Sequence, residues 1–412
     1  MSDDAITCRF CGAQIEHVFV SLGSSPIANS YLNRLDQMEP FYPLNVYVCD
    51  NCFLVQLQEF ESAKKIFGEG DYAYFSSYSD SWLKHARDYV DKMINTFGVS
   101  NKSHVVEIAS NDGYLLQYFV KKGIPVLGIE PARNVAEVAI SKGISTDITF
   151  FNTAYAKKMK KAGKCADLIV ANNVLAHNPN LNDFVEGLKI ALKRTGTITL
   201  EFPHLLKLIE QVQFDTIYHE HFSYFSFLTV EKLFASHGLT LFDVEELSTH
   251  GGSLRIYAKH EEDETKPVTE KTSSLRNREI KTGLADINYY LAFSEKVKAV
   301  KREALKFLIR AKEENKNIVG YGAPAKGNTF LNYCGIRTDF LDYTVDKSPH
   351  KQGHYLPGSR IPIVAPDMIS ETKPDYILIL PWNIKEEIMK QTSFIREWGG
   401  KFVIAIPGIQ VI

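Results

Sequence analysis

His104-Val105-Val106-Glu107-Ile108-Ala109-Ser110-Asn111-Asp112-Gly113 is the stretch whose reading decides the fold. Its first half is apolar and β-branched, as suits a strand buried on both faces, and its second half is a tight turn of small and polar residues. Tyr114 to Lys122 reads as the helix after the turn, and Val126-Leu127-Gly128-Ile129-Glu130 as a second strand ending in an acid. Strand, small-residue turn, helix, strand and acid open a doubly wound α/β sheet, where ligands sit beyond the carboxyl ends of the strands. Glu130 is placed to accept hydrogen bonds from a ribose. Ala109 and Asn111 replace the glycines of a G-x-G-x-x-G turn, which disfavours close approach to a pyrophosphate. A nucleoside without phosphates, such as S-adenosylmethionine, suits the turn better.

The alternation continues. Ala166 to Asn172 reads as a strand that delivers Asn173 to His177 to the ligand crevice, which makes His177 a candidate site residue rather than a cap. Thr195 to Glu201 is another strand, leading through Phe202-Pro203-His204 and a short helix into Tyr218-His219-Glu220-His221-Phe222-Ser223-Tyr224-Phe225-Ser226. Two imidazoles, a carboxylate and two phenols in so few residues are the side chains that move protons near neutral pH. A polar loop with solvated histidines is the bland alternative, and delivery to the same sheet edge favours the site. Val230 to Tyr257, with His250-Gly251-Gly252-Ser253-Leu254-Arg255 between strands, closes this unit. Ahead of it, Asp71 to Ser79 alternates aromatic and hydroxyl residues before a helix from about Trp82 to Phe97. It reads either as an edge strand with a serine-rich cap or as a lip over a ligand with a phenol pointing inward.

The remaining chain sets the frame. A length of 412 residues holds two or three domains, and a net charge of -2 gives no electrostatic case for nucleic acid or an anionic membrane. Met1-Ser2-Asp3-Asp4 is unlike a signal peptide and no apolar run is long enough to span a bilayer, so the expectation is a cytoplasmic protein. Four of the six cysteines form two knuckles, Cys8-Arg9-Phe10-Cys11 and Cys49-Asp50-Asn51-Cys52. Two such pairs supply the four thiolates of a closed, structural zinc site, whereas a redox dithiol would leave the second pair without a reason. The gap between them, containing Pro26 and Asn33, must loop out.

Lys259 to about Lys316 is charged and reads as a long amphipathic helical connector. A second α/β unit begins at Asn317. There Gly320-x-Gly322-x-x-Ala325, with Asp346 at the end of a further strand, is a literal dinucleotide fingerprint. Backbone amides at that helix start, with Lys326 alongside, would equally hold the diphosphate of an activated substrate. Asp375 to Leu380 and Lys401 to Ile406 complete a small parallel sheet.

Together these motifs resemble the sugar C-methyltransferase family, whose members place a branching methyl on nucleotide-linked 4-keto deoxysugars. The resemblance runs over essentially the whole chain. It rests on Cys8, Cys11, Cys49 and Cys52, the Glu107 to Gly113 turn, Asn172 to His177, the run from Tyr218, the His250 to Arg255 segment, and Tyr-Gly-Ala-Pro-Ala-Lys-Gly from Tyr321. It implies an N-terminal zinc-binding domain (1–70), a central Rossmann-like S-adenosylmethionine domain (71–260), a helical connector (261–316) and a C-terminal Rossmann-like domain (317–412) without a dinucleotide. Catalytic residues are expected at Tyr72, His177, Tyr218, Glu220 and His221, and cofactor contacts at Glu107, Ala109, Asn111, Asp112, Gly113, Glu130 and Asn172. Tyr224, Gly322, Ala323, Lys326 and Gly327 are expected to hold the substrate.

The residues agree with that chemistry. A ketone at C4 acidifies the hydrogen on the adjacent carbon, so a base removes it while donors stabilise the enolate, and the carbanion attacks a sulfonium methyl. His221 is the expected base, with His177 as its exchange partner. His177 and Tyr218 are candidates for enolate stabilisation, Glu220 for orienting a histidine or sugar hydroxyl, and Tyr72 for covering the sugar. Two other readings compete: an NAD-dependent nucleotide-sugar oxidoreductase or epimerase using the C-terminal fingerprint, and a non-catalytic zinc-ribbon scaffold. The default assembly is a monomer.

Overall fold

The structure, a computed structural model, describes residues 6–68 and 75–412. Tyr72 lies outside the described residues. Runs of apolar residues form the strands of a seven-stranded central sheet. Its order is Leu239–Leu247, Ser253–His260, Leu192–Pro203, Ala166–Asn172, Val105–Ile108, Val126–Ile129, Thr146–Asp147. Only Ser253–His260 runs against its neighbours in that sheet; the other pairings are parallel. The chain reverses direction across the sheet between Val105–Ile108 and Ala166–Asn172, and a crevice opens at such a switch point. All four residues of Val105–Ile108 are buried, as a strand covered on both faces requires.

Local signals fix the flanking helices. The Asp80–Phe97 helix starts where Ser79 accepts a hydrogen bond from the Trp82 amide and ends at Gly98 in the left-handed conformation. Trp82, Ala86, Tyr89, Val90 and Met93 form its buried stripe. Ser79 is thus the cap foreseen for the serine-rich stretch, while Ser76–Tyr78 is a 3-10 turn rather than an edge strand.

The N-terminal strands His17–Ser25, Tyr42–Val48 and Val55–Leu57 form an antiparallel sheet whose fourth member is Ser223–Tyr224, from the histidine-rich run. The C-terminal sheet has the order Ile363–Val364, Thr344–Val345, Ile318–Tyr321, Tyr376–Ile379, Lys401–Ile404, Gln410–Val411, parallel except for its last pairing. Between the central and C-terminal sheets lie three helices, Glu270–Thr282, Ile287–Leu291 and Phe293–Glu313, instead of one long connector. Gly283, in the left-handed region, ends the first of them.

These pieces share their cores. Phe19 of the first strand stacks on Phe293 of the third connector helix at 4.5 Å between ring centres. One apolar cluster joins Phe19, Val46 and Leu57 with Phe293, Val297, Leu331 and Leu378. The 26–41 insertion follows the same logic. It does not loop out freely: Leu32 bridges Tyr355, Arg360 donates to the main-chain oxygens of Leu35 and Gln37, and Glu39 accepts from the Gly358 amide.

Candidate active site

The Cys8–Cys11 and Cys49–Cys52 knuckles fold alike, since Gly12 donates back to the Cys8 carbonyl and Phe53 to that of Cys49. Their four sulfur atoms lie within 4.8 Å of one another, with Cys8 3.5 Å from Cys52 and Cys11 3.5 Å from Cys49. Tetrahedral zinc, with Zn–S near 2.3 Å, sets sulfur atoms about 3.8 Å apart, so the donor set fits that ion. Gln56 donates to the Cys8 sulfur, as the outer partners of metal ligands do. Four protein ligands close the site to substrate.

At the carboxyl ends of the parallel strands the backbone departs from its usual range. Ala109, Asn111 and Asn173 all take positive φ, the conformation that glycine supplies more cheaply. The absence of glycine at 109 and 111 therefore does not prevent the tight turn. Gly113 suits the turn at a φ of +77°, and a Cβ there would stand 2.2 Å from Ile144 Cδ1, which would have to shift. Glu130 accepts from the Asn111 and Ala132 amides, and burial pushes its carboxyl up to about 7. Burial raises Glu107 well above the ordinary carboxylate range.

Ser110 Oγ, Asp112 Oδ1 and both amide atoms of Asn172 are buried without a hydrogen-bond partner among the described residues, and the Glu107 carboxyl is buried beside Tyr114. Buried polar groups are rarely left so. S-adenosylmethionine offers an ammonium, a ribose diol and adenine nitrogens, the donors and acceptors this group of side chains lacks. Glu107, Asp112 and Asn172, with the turn at Ala109, Asn111 and Gly113 and with Glu130 behind it, fit that cofactor.

The run from Tyr218 is brought to the same edge by hydrogen bonds on three sides. Phe222 N donates to Ala176 O at 2.7 Å, Leu57 N donates to Phe222 O at 3.0 Å, and Thr329 Oγ1 of the C-terminal unit donates to Ile217 O at 2.8 Å. His177, Tyr218 and His221 thereby converge, while Glu220 meets His177 through its main-chain oxygen and turns its carboxyl to Asn29. The His177 and His221 rings are 4.7 Å apart, and the Tyr218 ring is 4.1 Å from that of His221.

Main-chain carbonyls decide the tautomers, because a carbonyl only accepts. His221 Nδ1 lies 2.9 Å from Thr216 O and so carries the proton, leaving Nε2 to accept from the Tyr218 hydroxyl at 2.9 Å. His177 Nδ1 likewise donates to Glu220 O at 2.7 Å, so its Nε2 is an acceptor. Burial lowers both imidazoles, His177 to about 4 and His221 well below the usual value, so both are neutral bases at pH 7. A neutral His177 bonded in this way has no proton at Nε2 to give an enolate. Burial raises Glu220 to about 7, with the Asn29 amide pulling the other way.

The remaining candidates divide. Lys326 reaches the cluster: its charge lowers both His221 and His250, and its Nζ donates to Asn383 and lies 4.7 Å from the Trp382 ring centre. Tyr224 pairs with Val55 in the N-terminal sheet and sets its ring edge-on behind His221. Gly322, Ala323 and Gly327 are committed inside the C-terminal unit. The Gly322 amide donates to Val345 O, the Ala323 amide donates to Asp346, and a Cβ on Gly327 would lie 2.8 Å from Leu380. A dinucleotide would need those amides and that carboxylate.

Sequence reasoning missed several residues. Glu201, at the end of its strand, accepts from Arg255 and meets His85 Nε2 at 2.8 Å, while Trp82 stacks on His85 and stands edge-on to His250. Burial would raise Glu201, but His85 and Arg255 hold it below the ordinary range. Glu279 of the connector accepts from the Phe227 and Leu228 amides and meets His204 Nε2 at 2.6 Å, anchoring the end of the histidine run. The Glu201–Arg255 pairing follows from strand register, and strand ends were the available signal; Glu279 lies in a charged stretch that reads only as a solvated face.

Comparison with known proteins finds relatives over the whole chain. Residues 8–67 match a family described as a zinc binding domain, 82–244 a methyltransferase domain, and 248–407 a C-methyltransferase C-terminal domain. The C-methyltransferase NovU of Streptomyces niveus is 35% identical over 98% of this chain and 96% of its own length. Among solved structures, magnesium protoporphyrin IX methyltransferase from Synechocystis PCC 6803 with bound SAM is similar over 47% of this chain and 88% of that one, at 15% identity and a TM-score of 0.34. A SAM-dependent methyltransferase from Archaeoglobus fulgidus is similar over 43% and 94%, at 14% identity and a TM-score of 0.36. No helix among the described residues is long and apolar enough to cross a membrane.

Proposed function

Because the chain belongs to the C-methyltransferase family, we propose that it methylates C3, one of the two carbons beside the ketone, of a nucleotide-linked 4-keto-6-deoxyhexose carrying dTDP or GDP. The Tyr218–His221–Thr216 relay carries this reading, since it sets a neutral base and a phenolic donor side by side. S-adenosylmethionine, when bound, supplies the electrophilic methyl. His221 Nε2 takes the proton from the carbon next to the ketone. For its lone pair to be free, Tyr218 must turn its hydroxyl from Nε2 to the ketone oxygen, where the same proton then stabilises the developing oxyanion. One movement thus arms the base and completes the donor. Glu220, near the middle of its titration at pH 7, holds a sugar hydroxyl. Lys326, at the border with the C-terminal unit, faces the diphosphate, and Tyr224 supports the site from behind.

A second reading exchanges the base. His177 Nε2 is an acceptor not capped by the Tyr218 hydroxyl, so it can take the proton without that movement. In either assignment Tyr72, which lies outside the described residues, keeps the role expected from the sequence, that of covering the sugar. The limits 1–70, 71–260, 261–316 and 317–412 are proposed for the functional parts. The protein is proposed to work as a monomer in the cytoplasm, in the making of a branched deoxysugar, with nucleotide sugar rather than nucleic acid or membrane as its partner. The test is incubation of the purified protein with S-adenosylmethionine and each keto sugar. A product heavier by one methylene, with the new methyl on C3, supports the reading; no gain with any keto sugar refutes it.

A further inference from the structure

Asn29 enters the candidate site from the metal-binding end of the chain. It lies in the insertion between the two cysteine pairs, just after His17–Ser25, and its Nδ2 donates to Glu220 Oε1 at 2.6 Å across 191 positions of sequence. The loop that carries it is fixed from its far side. Two residues on, the Tyr31 hydroxyl donates to Ala323 O at 2.7 Å, and Leu32 bridges Tyr355. Asn29 is therefore held between the histidine run and the C-terminal unit.

Glu220 is 4% exposed, and among the described residues it makes no ion pair and takes no other side-chain hydrogen bond. Among the described residues the titratable groups facing it are the Tyr31 phenol, whose ionisation Glu220 opposes, and His177, which donates to its main-chain oxygen. His221, beside it in sequence, is neutral, and Asp346 and Lys351 stand behind Tyr31. A neutral amide thus does the work that an arginine or lysine does at most buried carboxylates. It stabilises the ionised form without cancelling its charge, and it presents one oxygen while leaving the other for a ligand.

We propose that Asn29 is a positioning residue that favours the ionised form of Glu220 and aims its carboxyl for the reaction, so that the zinc-bearing end of the chain tunes the charge of the active site. This rests on the reading above in which Glu220 acts on the substrate. A hydrogen bond to a charged group contributes about 1.5–3 kcal/mol, and one pKa unit is about 1.4 kcal/mol, so losing the bond raises the Glu220 midpoint by about one pH unit or more.

The test is the titration of the Glu220 side-chain carboxyl, labelled with carbon-13 and assigned with E220Q, in the wild type, N29A and N29D. The wild-type midpoint is expected at about 7. N29A should raise it by about one pH unit or more, and N29D, which keeps the shape of the side chain but sets a second carboxylate against the first, at least as far. The acidic limb of kcat/KM should move with it, whereas loss of packing alone would lower the rate at every pH. A midpoint unchanged in both variants overturns the assignment. If the midpoint moves but the wild type methylates no keto sugar, the substrate reading fails and Asn29 still tunes the charge of Glu220.

Discussion

Tyr218 Oη and His221 Nε2 lie 2.9 Å apart, and the Thr216 carbonyl at Nδ1 dictates that the phenol is the donor. In the proposed reaction the pair is a base whose lone pair is covered by the group that then holds the oxyanion. H221N should lower kcat by about 10³-fold, the scale of general base catalysis, while the Kd for S-adenosylmethionine stays within about twofold. Y218F should lower kcat by about 10- to 100-fold through loss of an oxyanion donor. Steady-state rates and calorimetric titration check both, and an H221N enzyme with normal turnover would pass the base to His177.

Stability should depend on pH through Glu220. Its carboxyl lies at about 7 in the folded chain against 4.5 for the free side chain. Below pH 4.5 both states hold the proton. Between 4.5 and 7 the unfolded chain releases it first, so stability falls as pH rises, by at most about 3 kcal/mol. E220Q keeps an acceptor for Asn29 and has no such proton. The Tm of E220Q relative to wild type should therefore climb between pH 4.5 and 7 and level off above; a flat difference would contradict the burial of this charge.

His177 works in the opposite sense. Its folded value of about 4 lies below the ordinary 6.5, so the unfolded chain binds the proton first and stability falls as pH drops from 6.5 toward 4. H177Q should remove that loss, and melting curves at pH 5 and 7 compare the two proteins directly.

Zinc removal should disable the enzyme although the metal touches no substrate. Val55 and Gln56, beside Cys52, pair with Tyr224 and Ser223, so loosening the knuckles loosens the strand that ends the histidine run. A chelator or C49S should lower Tm and abolish methyl transfer, with one zinc released per chain in a metal-indicator assay. Full activity in zinc-free protein would separate the two ends of that sheet.

The cofactor turn offers a narrower test. G113A sets a methyl against Ile144 and forces alanine to a φ near +77°. It should weaken S-adenosylmethionine binding by about tenfold or more, read by calorimetry, through displacement of Asn111 and Asp112.

What was legible in the chain was what depends on near neighbours. Leu168 to Ala171 is a continuous apolar run, and the strand around it forms at the expected limits Ala166–Asn172, while the Ser79 cap and the four cysteines announce themselves by type and spacing. The charged stretch after Lys259 gave helices but not the break at Gly283, because helical periodicity survives a single glycine. Other features rest on pairings across the chain that leave no local period. Tyr224 reads as a substrate contact yet is strand-paired to Val55, and Gly322 and Ala323 read as phosphate amides yet are spent on Val345 and Asp346. Asn29 carries no signal at all until the fold sets it against Glu220.

The most direct measurement of the central claim is methyl transfer in deuterated water, using dTDP- and GDP-linked 4-keto-6-deoxyhexoses with S-adenosylmethionine or with its demethylated product. The account predicts a methylated sugar with the first. With the second it predicts deuterium entering the unmethylated sugar at C3, at a rate that collapses in H221N. No methylation and no exchange with any of these sugars would contradict it.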